Sequence, residues 1–185
     1  MNKRLLSFGV VLLILVFFVF LHVPQDCNAV DLFEAYQIAH SEALNWDAAA
    51  KPYFITTVDD NIKSSTIKGE DGKRNYWNFD FVIVNTNRHL IITLHDKTIE
   101  NKIETESYTN NDYIINMSEV CVSTAEAVME ARDNFGLLPG VEWAQGYHFV
   151  LENDGSALTL SVIGVNHDGT MSRVLFNAKT GEVIA

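Results

Sequence analysis

Residues 147–184 read YHFVLENDGSALTLSVIGVNHDGTMSRVLFNAKTGEVI, and this run decides the fold. Two alternating segments, Tyr147 to Glu152 and Ala157 to Val165, are split by Asn153-Asp154-Gly155-Ser156. A third, Met171 to Asn177, follows His167-Asp168-Gly169-Thr170, and Val183-Ile184 follows Thr180-Gly181. Asp-Gly pairs supply the positive φ that tight hairpin turns need, so the run predicts an antiparallel meander. A helix should precede it. Ser123-Thr124-Ala125-Glu126 has capping-box spacing, Val128, Ala131 and Phe135 recur at helical intervals, and Gly136, Pro139 and Gly140 stop the pattern.

The same order, helix then strands, occurs earlier. Asp31-Leu32-Phe33-Glu34 opens a helix with the stripe Leu32, Ala35, Tyr36, Ala39 and Ala43, ending near Asn45, Trp46 and Asp47. Tyr53 to Val58 reads as a strand, and Tyr76 to Val84 alternates, with Trp77, Phe79, Phe81 and Ile83 on one side. After the turn at Asn85 to Arg88, Leu90, Ile92 and Leu94 line the next strand. Ile103 to Ser118, polar and rich in asparagine around Tyr113-Ile114-Ile115, reads as a connector with a short strand or turn. Laid over each other, the halves match at Asp31/Glu34/Ala35 with Ser123/Glu126/Ala127, at Trp46 with Trp143, and at Tyr53-Phe54 with Tyr147-His148. The expected fold class is α+β, built of two helix-plus-antiparallel-meander units. Their expected bounds are 30–104 and 120–185, joined by a connector at 105–119. The core should hold Phe79, Phe81, Ile92, Leu158, Leu160, Val174 and Phe176, faced by Leu32, Tyr36, Val128 and Phe135.

Residues 1–29 are of another kind. Lys3 and Arg4 precede an apolar run from Leu5 to Leu21, and Cys27-Asn28-Ala29 puts small residues where a signal peptidase reads. A cleaved signal peptide and a retained membrane anchor both fit, and both place the rest of the chain outside the membrane. Pro24-Gln25-Asp26 before Cys27 does not suit a lipid-modified cysteine. The membrane is expected to be touched only through this segment, and the location is extracytoplasmic, secreted or anchored.

The charge narrows the partners. The chain carries −11, and loss of Lys3, Arg4 and Asp26 with the leader takes it to −12. No cluster of Lys and Arg offers a phosphate-binding surface, so nucleic acid is excluded as a partner. Of the two cysteines, Cys27 lies in the leader and Cys121, between Val120 and Val122, reads as a small buried hydrophobe.

Motifs for catalysis are missing: there is no HExxH, no GxSxG and no P-loop. His95-Asp96 and His167-Asp168 are neighbours in turns, which makes them solvated loop residues, not preset dyads. Asp71, Asp154 and Asp168 precede glycines without the ligand spacing of a calcium loop, so they make turns. Asn116-Met117-Ser118 is a glycosylation sequon by pattern. Trp77 belongs to the core, whereas Trp46 and Trp143 follow helix ends and are the candidate partner-binding residues. No catalytic residue, cofactor or metal ligand is expected.

The closing strand Val174-Leu175-Phe176-Asn177-Ala178-Lys179-Thr180-Gly181-Glu182-Val183-Ile184, with the Ala- and Glu-rich helix before it, resembles a PepSY domain. Residues 120–185 resemble that family over their whole length. The first half departs at the key turn, where Ile99 stands in place of the glycine. The resemblance implies an exported or envelope module without catalytic residues that modulates or inhibits a peptidase. A protein or peptide partner outside the membrane is therefore expected. Two alternatives stay open: a small secreted hydrolase using His148 or His167 with a nearby carboxylate, and a structural envelope protein.

Overall fold

The structure is a computed structural model that describes residues 28–58, 68–141 and 145–184. The signal or anchor segment, apart from Asn28 and Ala29, and Trp143 lie outside these residues. Among the described residues no helix is long and apolar enough to cross a membrane.

Helix α1 (Leu32–Trp46) starts where Asp31 accepts the Glu34 N–H at 2.9 Å. Strands β1 (Ala50–Thr57), β2 (Tyr76–Ile83), β3 (Arg88–His95) and β4 (Thr98–Glu106) follow. Two single 3-10 turns, Asn111–Tyr113 and Met117–Glu119, then lead to α2 (Thr124–Phe135). The capping box of α2 is complete, Ser123 and Glu126 each bonding the other's backbone N–H. Strands β5 (His148–Asn153), β6 (Leu158–Val165) and β7 (Met171–Asn177) close the chain, each within one residue of its expected start.

The expectation of two separate helix-plus-meander units is overturned. The seven strands of the described residues form one antiparallel sheet in the order β4-β3-β2-β1-β5-β6-β7. The joint is β1 against β5, where Phe54, Ile55 and Thr56 pair with Glu152, Leu151 and Val150. The physical reason lies in what each half would otherwise leave bare. A four-stranded and a three-stranded sheet would each expose the edge of an apolar strand, and pairing β1 with β5 removes both edges.

Register makes the core continuous. Ile92, Phe79, Ile55, Leu151, Leu160 and Phe176 are successive partners across six strands, each no more than 1% exposed. Helix α1 lies over β1 to β4 and α2 over β6 and β7, adding Leu32, Ala35, Ala39, Ala127, Val128 and Ala131 to one cluster. Tyr36 is half-buried, stacked on Phe81 at 6.5 Å. Phe135 departs from expectation at 51% exposure. Gly136 turns left-handed at φ 65°, ends α2, and leaves the buried place to Leu137.

Two further departures concern local pattern. The connector expected at 105–119, with a short strand or turn in it, begins inside β4, which runs to Glu106, and holds a 3-10 turn at Asn111–Tyr113. Cys121 is exposed, because the extended chain alternates there and turns Val120 and Val122 inward.

Candidate functional site

Turn chemistry accounts for most of the residues singled out in the sequence. Asp154 accepts from the N–H groups of Ser156 and Ala157 in the β5–β6 hairpin, and these bonds with Ser156 Oγ hold its carboxyl below the usual range. Asp71 accepts from Lys73 N, while His167 and Asp168 sit exposed in the β6–β7 turn. His95 stacks on Tyr76 at 4.2 Å with its Nδ1 3.2 Å from the phenol oxygen, and Asp96 accepts from Asn75. His95 Nε2 stands 3.6 Å from the Asp96 carboxylate, a partly exposed contact of small energetic weight.

His148 is a structural fastener. Its Nδ1 lies 3.3 Å from Thr57 Oγ1, which in turn accepts the Phe149 N–H at 2.9 Å. Its Nε2 lies 3.5 Å from the buried Arg74 guanidinium, which also donates to the Gln145 carbonyl at 2.9 Å. Arg74 and Val30 bond each other's backbone in both directions. This cluster ties the entry of the domain to the first residues of β5.

Trp46 is not a free platform. The Arg88 guanidinium lies 4.8 Å above its ring while also reaching Asp47 at 3.3 Å, and the indole packs on the core. Among the described residues its buried Nε1 meets no hydrogen-bond partner. Trp143 falls outside the described residues, so the pair of tryptophans does not define a site.

A histidine and a carboxylate do converge, at residues the sequence did not single out. Asp80 on β2 and His89 on β3 share the sheet face opposite the helices. Both Asp80 oxygens lie 3.0 Å from His89 Nδ1, and Thr109 Oγ1 lies 3.0 Å from His89 Nε2. With Nδ1–H donating to Asp80, Nε2 accepts the Thr109 hydroxyl, the order of groups in a nucleophile, base and acid relay. Burial raises the Asp80 carboxyl and the bond to His89 offsets part of that. His89 is only 3% exposed, its ring nearly perpendicular to that of Tyr53 with the centroids 5.6 Å apart. Its clearest role is to pin the connector to the sheet, together with Asn110 N donating to Tyr53 Oη at 3.4 Å.

Among the described residues, two surfaces bear on partner binding. One is the sheet edge at β4, exposed along eight of its nine residues and carrying Glu100, Lys102, Glu104 and Glu106. Among the described residues, only β3 pairs with it. The opposite edge is partly taken: Asn177 N bonds Glu182 O and Ile184 N bonds Leu175 O, so the C-terminal segment covers half of β7. The other surface is a groove between α2 and this same segment, of about 570 Å³. Among the described residues no group of three or more histidine, cysteine, aspartate or glutamate side chains could hold a metal ion.

Comparison with known proteins returns a fold. No family model matches the chain, and no curated protein matches it. Among solved structures, a candidate lipoprotein of Clostridium difficile 630 superposes with a TM-score of 0.55 at 12% identity, covering 81% of this chain and 90% of that one. At that identity the likeness shows a shared architecture, the single helix-covered antiparallel sheet just described.

Proposed function

We propose that this chain is an extracytoplasmic binding module that works without catalysis and receives an extended peptide along β4. The supporting observation is the contrast between the two sheet edges, one partly covered by Glu182 to Ile184 and the other, β4, paired among the described residues only with β3 and exposed along eight of its nine residues. A bare antiparallel edge supplies unpaired N–H and C=O groups to an added strand. Glu100, Glu104 and Glu106 outnumber Lys102, and Lys102 is already bonded to Glu42, so the added strand carries basic residues. The resemblance to PepSY domains makes a peptidase, or a segment bound for one, the partner class. The basic and apolar leader supports a location outside the membrane, as does a structural neighbour described as a candidate lipoprotein.

The test uses an extended peptide alternating lysine with threonine, titrated calorimetrically. Cross-strand charge pairs contribute roughly 0.2–1 kcal/mol each, so reversing Glu100, Glu104 and Glu106 to lysine together is expected to weaken binding about tenfold. These side chains are exposed, so the circular dichroism spectrum is expected to be unchanged. Equal affinity in the variant would remove β4 as the site.

The relay at Thr109, His89 and Asp80 favours a second reading, ester hydrolysis with Thr109 as nucleophile. A non-catalytic module predicts p-nitrophenyl acetate turnover at buffer background in both wild type and Thr109→Val. Turnover above background that drops about 10²-fold in Thr109→Val, the usual scale for losing such a group, would instead establish the hydrolase.

A further inference from the structure

The groove beside α2 has chemistry of its own. Its floor is apolar, with Val122, Ala127 and Phe176 buried, while Met129 and Phe135 stand on its walls at 53% and 51% exposure. Single exposed apolar side chains are common and need no explanation. Here, however, two large ones flank the same concave channel, and Val183 continues its apolar lining. Three glutamates line it, Glu126, Glu130 and Glu182, and none of the lining residues is basic. Such a channel offers apolar contact area inside a negative field.

We propose that this groove binds a cationic segment of another protein, one in which large apolar side chains are flanked by lysine or arginine. Apolar side chains fill the space between Met129, Phe135 and Val183, and the cations meet the glutamates. A second copy of this chain is the wrong occupant, because a chain of net charge −11 brings more negative charge to an acidic groove. The site is independent of the β4 edge. Helix α2 packs on β6 and β7, at the other end of the strand order.

The probe is a fluorescein-labelled helical dodecapeptide of leucine and lysine, its leucines at helical spacing, titrated against the full chain by fluorescence polarisation. Phe135→Ser is expected to weaken binding tenfold or more, and Glu130→Lys combined with Glu182→Lys by a similar factor. A peptide with glutamate for lysine is expected not to bind. Cys121, exposed on the groove, supplies a second readout. Its alkylation, followed by peptide mass, is expected to slow when the lysine peptide is bound. The triple lysine variant at β4 is expected to keep its affinity for this probe within twofold, which separates the two surfaces. Unchanged affinity in both groove variants would overturn the proposal, as would equal binding of the glutamate peptide. Concentration-dependent self-association of the chain that Phe135→Ser abolishes would overturn it too, since the occupant would then be a second copy.

Discussion

Replacing Phe79 by alanine is expected to remove about 3–5 kcal/mol of folding stability, read as a fall in the urea midpoint at unchanged slope. Phe79 is fully buried at the middle of the apolar row, between Ile55 on β1 and Ile92 on β3. Its ring stacks 6.3 Å from Trp77 and 6.1 Å from Phe81 along its own strand. A methyl group cannot keep those contacts, and rigid strands on both sides limit how far the space can close. Domains of this size are stable by roughly 5–15 kcal/mol in total, so the variant keeps a fraction of its margin. A change within experimental error would mean that the face of β2 carrying Asn78 and Asp80 is the packed one.

Gly72→Ala is expected to cost at least as much as a moderate core cavity, about 3 kcal/mol. Gly72 has φ 79°, a conformation that costs a side-chain-bearing residue roughly 1–2 kcal/mol. The added methyl would also fall 2.3 Å from Ala125 N and 2.6 Å from Ala125 Cα, which are backbone atoms with no rotamer to escape by. Overpacking of that sort adds about 1–3 kcal/mol. The same turn receives the buried Thr124 hydroxyl on the Gly72 carbonyl at 2.7 Å, so the clash would push the start of α2 off its seat. Thermal unfolding followed by circular dichroism reads the loss. A melting temperature equal to wild type would show that the turn and the helix start separate without cost.

The parts legible in the sequence are those whose cause is local. Asn153-Asp154-Gly155 and Asn166 to Gly169 make their turns from their own side chains, so β5, β6 and β7 can be placed almost to the residue. The capping box of α2 is local in the same sense. Strand β4 was hidden because an edge strand exposed on both sides shows no apolar alternation, and Thr98 to Glu106 spells mostly polar residues. The pairing of β1 with β5 has no local signal at all, which is why two units were expected where one sheet exists. The cluster of Asp80, His89 and Thr109 was missed for a mixed reason. Asp80 and His89 occupy the same face of one hairpin, a relation that counting by twos from the Asn85 turn would have exposed. Thr109 reaches them only through the path of the connector, which no periodicity encodes.

The central position of β1 also bears on how the chain is made. Thr56 waits for Val150, its partner 94 residues later. A chain emerging from its amino end shows β1 as a raw sheet edge for all that time, roughly 5–20 s at ordinary rates of synthesis. Only the arrival of β5 turns this edge into an interior, and contacts so distant in sequence are the slow ones to form. During that interval the nascent half-sheet is the species most exposed to pairing with its own kind. The finished protein holds β1 at the centre of its sheet, and the growing one carries it at the rim.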